Sequence, residues 1–131
     1  MDNTQILTAF NTHFIEFIDD IQRVFPNNLD IATAKNGLIQ LRKANPRLLI
    51  LSYKEYMVMP YRAEIQEGDL SFFINNDYRK DLNKLGVKSP NNILERIDCL
   101  RAPIKEMDEN SQQNVIKYLQ NLQKLSDLYM I

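Results

Sequence analysis

Apolar residues recur at helical intervals along the first part of the chain. Leu7, Phe10, Phe14, Phe17, Ile21 and Val24 follow one another at steps of three, four, three, four and three. That spacing puts all six on one stripe of an α-helix. Ile6 and Ile18 widen the stripe, whereas Asp19, Asp20 and Arg23 fall outside it. Asn3 or Thr4 supplies an N-cap, and Phe25-Pro26 a stop, because the residue before proline avoids helical angles. The pattern predicts a helix of about 22 residues, roughly 33 Å long.

Asn28 is placed to cap a second helix carrying Ile31, Ala34 or Lys35, Leu38 and Leu41, which closes at Lys43-Ala44. Asn45-Pro46 restarts the chain, since proline suits a first helical position and asparagine a cap. A third helix through Leu49, Tyr53, Tyr56 and Met57 runs to about Met59. Pro60 either ends it or opens a short fourth helix to Glu67, with Gly68 just past that end. Residues 69 to 88 are the least regular: Asp69 to Ile74 suits a helical turn or an extended piece, and Asp77 to Leu85 a short helix stopped by Gly86.

Ser89-Pro90 opens a further helix, with Ile93, Ile97, Leu100, Ile104 and Met107 in phase and a kink expected ahead of Pro103. A last helix follows Asp108 to Ser111, with Val115, Leu119, Leu122 and Ser126 on one face and Ile116, Leu125 and Tyr129 broadening it. No stretch alternates with period two for long enough to make a sheet. The fold expected is all-α: a compact bundle of about five to seven helices with long N- and C-terminal amphipathic helices. A chain of 131 residues makes residues 1–131 a single domain, able to fold without a metal or disulfide.

Charge and composition remove several function classes. Sixteen basic and seventeen acidic residues leave a net charge of -1, which argues against nucleic acid as the partner, because neutralising many phosphates takes a basic excess. Cys99 is the only cysteine, so no internal disulfide or cysteine-built zinc site is expected, and the chain suits a reducing compartment. The longest apolar run, Leu48 to Leu51, is far short of the roughly 20 residues that span a bilayer, so no membrane insertion is expected. The stretch from Ile6 lacks a basic leader and does not read as a signal peptide. Gly37, Gly68 and Gly86 are isolated and build no phosphate-cradling loop. Asparagine and isoleucine are abundant, at fourteen residues each, and both have AT-rich codons.

The candidate chemistry is sparse. His13 is the only histidine and sits among phenylalanines without a nucleophile or an orienting partner in sequence. Cys99 reads as a buried structural thiol. Asp19 and Asp20 diverge by about 100° on a helix, whereas Glu64 and Glu67 lie one turn apart but lack a third ligand. No cofactor, metal or catalytic residue is expected. Arg42, Lys43 and Arg47 form a candidate anion-binding patch, with Arg79, Lys80, Lys84 and Lys88 a second basic stretch. Tyr53, Tyr56, Tyr61, Phe72, Phe73 and Tyr78 concentrate in the middle of the chain. Aromatics fill cores, yet protein interfaces also enrich them, which makes these six the candidate partner surface. A first helix with apolar flanks on both sides of its stripe would also support a helical homodimer.

Several runs carry a resemblance. They are Ile6-Leu7-Thr8-Ala9-Phe10-Asn11 with His13-Phe14, Asp20-Ile21, Val24-Phe25-Pro26 and Thr33-Ala34-Lys35-Asn36, then Arg42-Lys43-Ala44-Asn45-Pro46-Arg47. Phe72-Phe73-Ile74 with Asp77-Tyr78 and the terminal Lys117-Tyr118-Leu119-Gln120-Asn121-Leu122 continue the series. In that order they resemble a family of small all-helical proteins encoded by nucleocytoplasmic large DNA viruses of protists and algae. The resemblance brings no catalytic residues. It implies a protein of the virion, as structural or interaction module or as delivered cargo, with viral or host proteins as partners. Its setting would be the virion and the host cytoplasm during infection, or the nucleus if it acts as a regulator of host proteins or nucleic acid.

Overall fold

The protein is described here from a computed structural model, which covers residues 2–75 and 99–130. The expected helix at Asp77 to Leu85 and the first part of the one from Ser89, together with Tyr78 and the second basic stretch, lie outside the described residues. In chain order the elements are α1 (Asn3–Val24), α2 (Leu29–Ala44), α3 (Leu48–Tyr53), a π-helical segment (Lys54–Val58), α4 (Met59–Glu67), α5 (Ser71–Asn75), α6 (Arg101–Lys105) and α7 (Glu109–Leu128). The fold is an all-α bundle with long terminal helices, and no strand occurs among the described residues.

The stripe of α1 is the floor of the core. Phe10, Phe14, Phe17, Ile18 and Ile21 are each 2 % exposed or less. Val24, the last residue of the stripe, stands 45 % exposed at the helix end. The cap is Asp2 rather than Asn3 or Thr4: its carboxylate accepts from the Gln5 amide at 2.8 Å, and the Gln5 side chain accepts from the Asp2 amide at 3.1 Å. This reciprocal box satisfies two donors that a helix start leaves open. Asn3 is thereby released for another task. Its side-chain amide donates to the Met130 carbonyl at 2.5 Å and accepts from the Met130 amide at 2.9 Å. That pair holds the end of α7 beside the start of α1, which runs antiparallel to it.

α1 packs most extensively against α7 and next against α2. Tyr53 of α3 fills the junction, its ring 5.5 Å from Phe10 and 6.3 Å from Phe14, and its buried hydroxyl donates to the Leu119 carbonyl of α7 at 2.9 Å. On the far side Lys35 of α2 pairs with Asp19 at 2.5 Å.

From Leu48 to Glu67 the chain stays helical but changes pitch. Core-facing positions step through Ile50, Tyr53 and Met57 and then restart one residue late at Val58, Tyr61 and Ile65. The π-helical segment absorbs the extra residue, with the Met59 amide donating to the Lys54 carbonyl five residues back. Pro60 explains its position: an α-helix through residue 60 would need a donor that proline lacks, and its ring would strike the carbonyl of Tyr56. Tyr61 then leaves helical angles (φ -127, ψ 25), so Pro60 neither stops the helix nor starts one cleanly.

Gly68 closes α4 in the left-handed region, at φ 74. The Asp69 amide reaches the Glu64 carbonyl at 2.9 Å and the Gly68 amide the Ile65 carbonyl at 3.1 Å, the two bonds of a Schellman end. Asp69 to Ile74 resolves as a capped helical turn: Asp69 accepts from the Ser71 amide at 2.9 Å, and Phe72 and Phe73 point inward. The expected kink ahead of Pro103 is a turn at Cys99-Leu100. Pro103 falls in the first turn of α6, where its missing N–H costs no helical bond. Cys99 is exposed in that turn, not buried, because Leu100 and Ile104 take the core-facing positions.

Phe14→Ala should destabilise the protein by about 3–5 kcal/mol, the range for emptying a buried aromatic site. Urea denaturation of the two proteins measures this, and a loss below about 1 kcal/mol would place Phe14 outside the core in solution.

Candidate functional site

The five candidate aromatic positions among the described residues do not assemble into a surface. Tyr53, Phe72 and Phe73 are buried at 1 %, 7 % and 1 % exposure, so the core reading holds for them and the partner-surface reading fails. Tyr61 is half-buried and stacks on Phe72 at 4.9 Å, and the Arg101 guanidinium lies 5.7 Å from the centre of the Phe73 ring. Tyr56 is half-buried on the π-helical segment, where burial and the charge of Glu55 push its phenol up.

The basic patch is likewise divided. Arg42 and Lys43 are exposed in the last turn of α2, where cations suit the negative helix end. Arg47 instead donates through Nε to the Tyr129 hydroxyl at 2.9 Å. It joins two other cations around the end of α7. Lys54 Nζ donates to the Ser126 carbonyl at 3.4 Å, and Arg62 grips both oxygens of Asp127 at 2.8 and 2.9 Å. That grip holds the Asp127 carboxyl below the usual range.

What the fold does assemble is a seam along the outer face of α1 and α7. Its longer part is an open trough of about 780 Å³. Thr4, Thr8, Thr12 and Ala9 form one wall, Asn121, Lys124 and Leu125 the other, and His13 and Glu16 close one end. The Thr8 hydroxyl turns back to the Thr4 carbonyl at 3.0 Å, so the wall presents largely methyl groups. A second cavity, of about 310 Å³, continues the seam between Phe17, Ile21 and Val24 on α1 and Met107, Val115 and Tyr118 across from them.

Tyr118 partitions the two. Its ring lies 4.8 Å from His13 and 5.3 Å from Phe17, and its hydroxyl donates to Asp20, which also pairs with Arg23. Burial first, then the hydrogen bond and charge of Asp20, push the Tyr118 phenol up to about 12. Asp19 and Asp20 thus face α2 and α7 respectively, as their helical angle requires. His13 Nδ1 lies 3.5 Å from Glu16, and its Nε2 is buried without a hydrogen-bond partner. Among the described residues the hydroxyls lining the trough are those of threonines, and none is bonded to His13. Activation of a nucleophile needs that bond.

Glu64 lines a separate small crevice with Gly68 and Ile116, apart from the trough that His13 closes. Among the described residues no three His, Cys, Asp or Glu side chains are grouped to hold a metal, and no helix is long and apolar enough to cross a membrane.

The core-facing stripe of α1 carries no sign of the seam. Its signal lay on the adjoining face, where Thr4, Thr8 and Thr12 repeat every fourth residue beside Ala9. No protein-family model matches the chain, and no curated protein and no solved structure matches it either.

Tyr118 gives the site a titration signature. Its folded pKa of about 12 exceeds the unfolded value of about 10, so folding favours the protonated phenol. The stabilisation is therefore intact below about pH 10 and lost as pH rises towards 12. Urea midpoints of the native protein should fall more steeply across that window than those of Tyr118→Phe. Parallel curves would mean that the hydroxyl does not hold Asp20 in solution.

Proposed function

We propose that this chain is a non-enzymatic interaction module that presents the α1/α7 face to a protein partner, in the particle of a large DNA virus. One observation carries the binding reading. Three of the exposed large apolar residues stand at the ends of this seam: Val24 lines the second cavity, Leu128 is the last residue of α7, and the Met130 backbone is clasped by Asn3 at the start of α1. Apolar surface gathered along a groove between two helices is where partners dock. The lone histidine faces threonine methyls rather than an activated nucleophile, which supports the non-enzymatic part.

The viral setting rests on the sequence runs given above. It makes the partner a viral protein, or a host protein if the chain is delivered as a regulator. A nucleic-acid partner has less support: with Arg47 committed to Tyr129, two cations remain at the end of α2, in a chain of net charge -1.

Quantitative proteomics of purified particles tests the setting. A fixed copy number relative to the major capsid protein, retained through gentle disruption, is the expected result. Absence from the particle would overturn the virion reading and make the chain an intracellular regulator.

A further inference from the structure

We propose that the partner of the α1/α7 face is a second copy of this chain, related by a two-fold axis that crosses the seam near Thr12 and Asn121. The proposal rests on the reading of this face as a binding surface and deepens it. The Asn3–Met130 clasp and the Tyr118–His13 stack fix the antiparallel register of the two helices. In that register Lys124 stands level with Ala9, about 10 Å along the seam from Glu16. A two-fold axis midway between them brings Glu16 of each copy against Lys124 of the other.

Both charges are available for that pairing. Among the described residues the contact of Glu16 is with the His13 ring at 3.5 Å, and Lys124 makes no ion pair. The same rotation exchanges the ends of the seam. Leu128 and Met130, 55 % and 76 % exposed, stand at one end, and the cavity of about 310 Å³ beside the 45 % exposed Val24 lies at the other. Each copy's protruding side chains therefore face the other's recess. An isologous interface requires such self-complementarity, and here charge and shape supply it with one operator.

Between these ends the walls of Thr4, Thr8 and Thr12 are low enough for close helix approach. The face measures about 30 Å by 20 Å, on the order of 600 Å² per copy, from helix length and diameter. That is slightly below the roughly 800 Å² per partner of a standard interface, so the expected dimer is reversible, with a Kd in the micromolar range.

Sedimentation equilibrium of the full chain tests this. The weight-average mass should rise with concentration from 15.4 kDa towards twice that value. Glu16→Lys and Lys124→Glu should each weaken association about tenfold or more, and the double variant, which restores opposite charges across the axis, should recover it. Met130→Ser should weaken it without affecting the charge rescue. Circular dichroism melts identify any variant that has lost its fold. A chain that stays monomeric at every concentration, or single reversals without effect, or a double variant that fails to recover, overturns the proposal. Measuring particle retention of the same variants separates the two levels. A monomer whose retention still depends on Glu16 and Lys124 overturns the dimer and leaves the face as a binding surface for another protein. Reversals that change neither association nor retention overturn both.

Discussion

Tyr53 reaches from α3 between Phe10 and Phe14 and its hydroxyl donates a hydrogen bond to the carbonyl of Leu119, in a buried part of the core. Three helices are tied at this point. The ring contacts fix the distance from α3 to α1, and the hydroxyl fixes the height of α7 against both. A buried phenol that lost its acceptor would forfeit about 1–3 kcal/mol, so α7 cannot slide along α1 without leaving that hydroxyl unpaired. The outer seam inherits this constraint. Tyr118 is the residue before the tethered Leu119, and its ring meets His13 and Phe17 on the side away from Tyr53.

Amide side chains govern the remaining junctions. Gln120 of α7 donates to the Ile65 carbonyl at 3.1 Å, at the open end of α4, and Gln112 donates to the Ile104 carbonyl at 3.0 Å, at the end of α6. Asn11, buried in α1, donates to the Pro46 carbonyl at 2.9 Å in the turn between α2 and α3. Asn28 accepts from the Asp30 and Ile31 amides at the start of α2. Short helices expose a large share of unpaired backbone groups for their length, and one long helix carrying glutamines answers two of these ends. The frequency of asparagine, which in the sequence suggested only codon usage, thus has structural uses at four of its positions: Asn3, Asn11, Asn28 and Asn45, which accepts from the Arg47 amide at 3.3 Å.

Features set by local periodicity were legible in advance. The stripes of α1 and α7, the cap at Asn28 and the end at Gly68 depend on neighbours within a turn or two, and the sequence pattern carries them. The candidate site depends on residues about a hundred positions apart. Tyr118 and Asp20 meet only because the clasp and the Tyr53 tether set the register of α7 on α1. For the same reason Tyr53, Phe72 and Phe73 could not be assigned to core or surface: an aromatic cluster in sequence does not say which helices will cover it. Cys99 turned outward because the helix expected to carry it is a turn at that point.

The one-residue offset within Lys54–Val58 acts as a vernier between the two halves of a helical run. An α-helix advances about 100° per residue, so the wider turn sets everything after Val58 back by about that angle relative to an unbroken α-helix of the same sequence. Ile65 enters the core and Arg62 meets Asp127 only in the rotated frame. Chain length at this segment is therefore equivalent to an angular setting of α4. Straightening the segment without shortening it would swing Ile65 towards solvent and carry Arg62 away from the end of α7, whereas removing one residue would straighten it with both still in place.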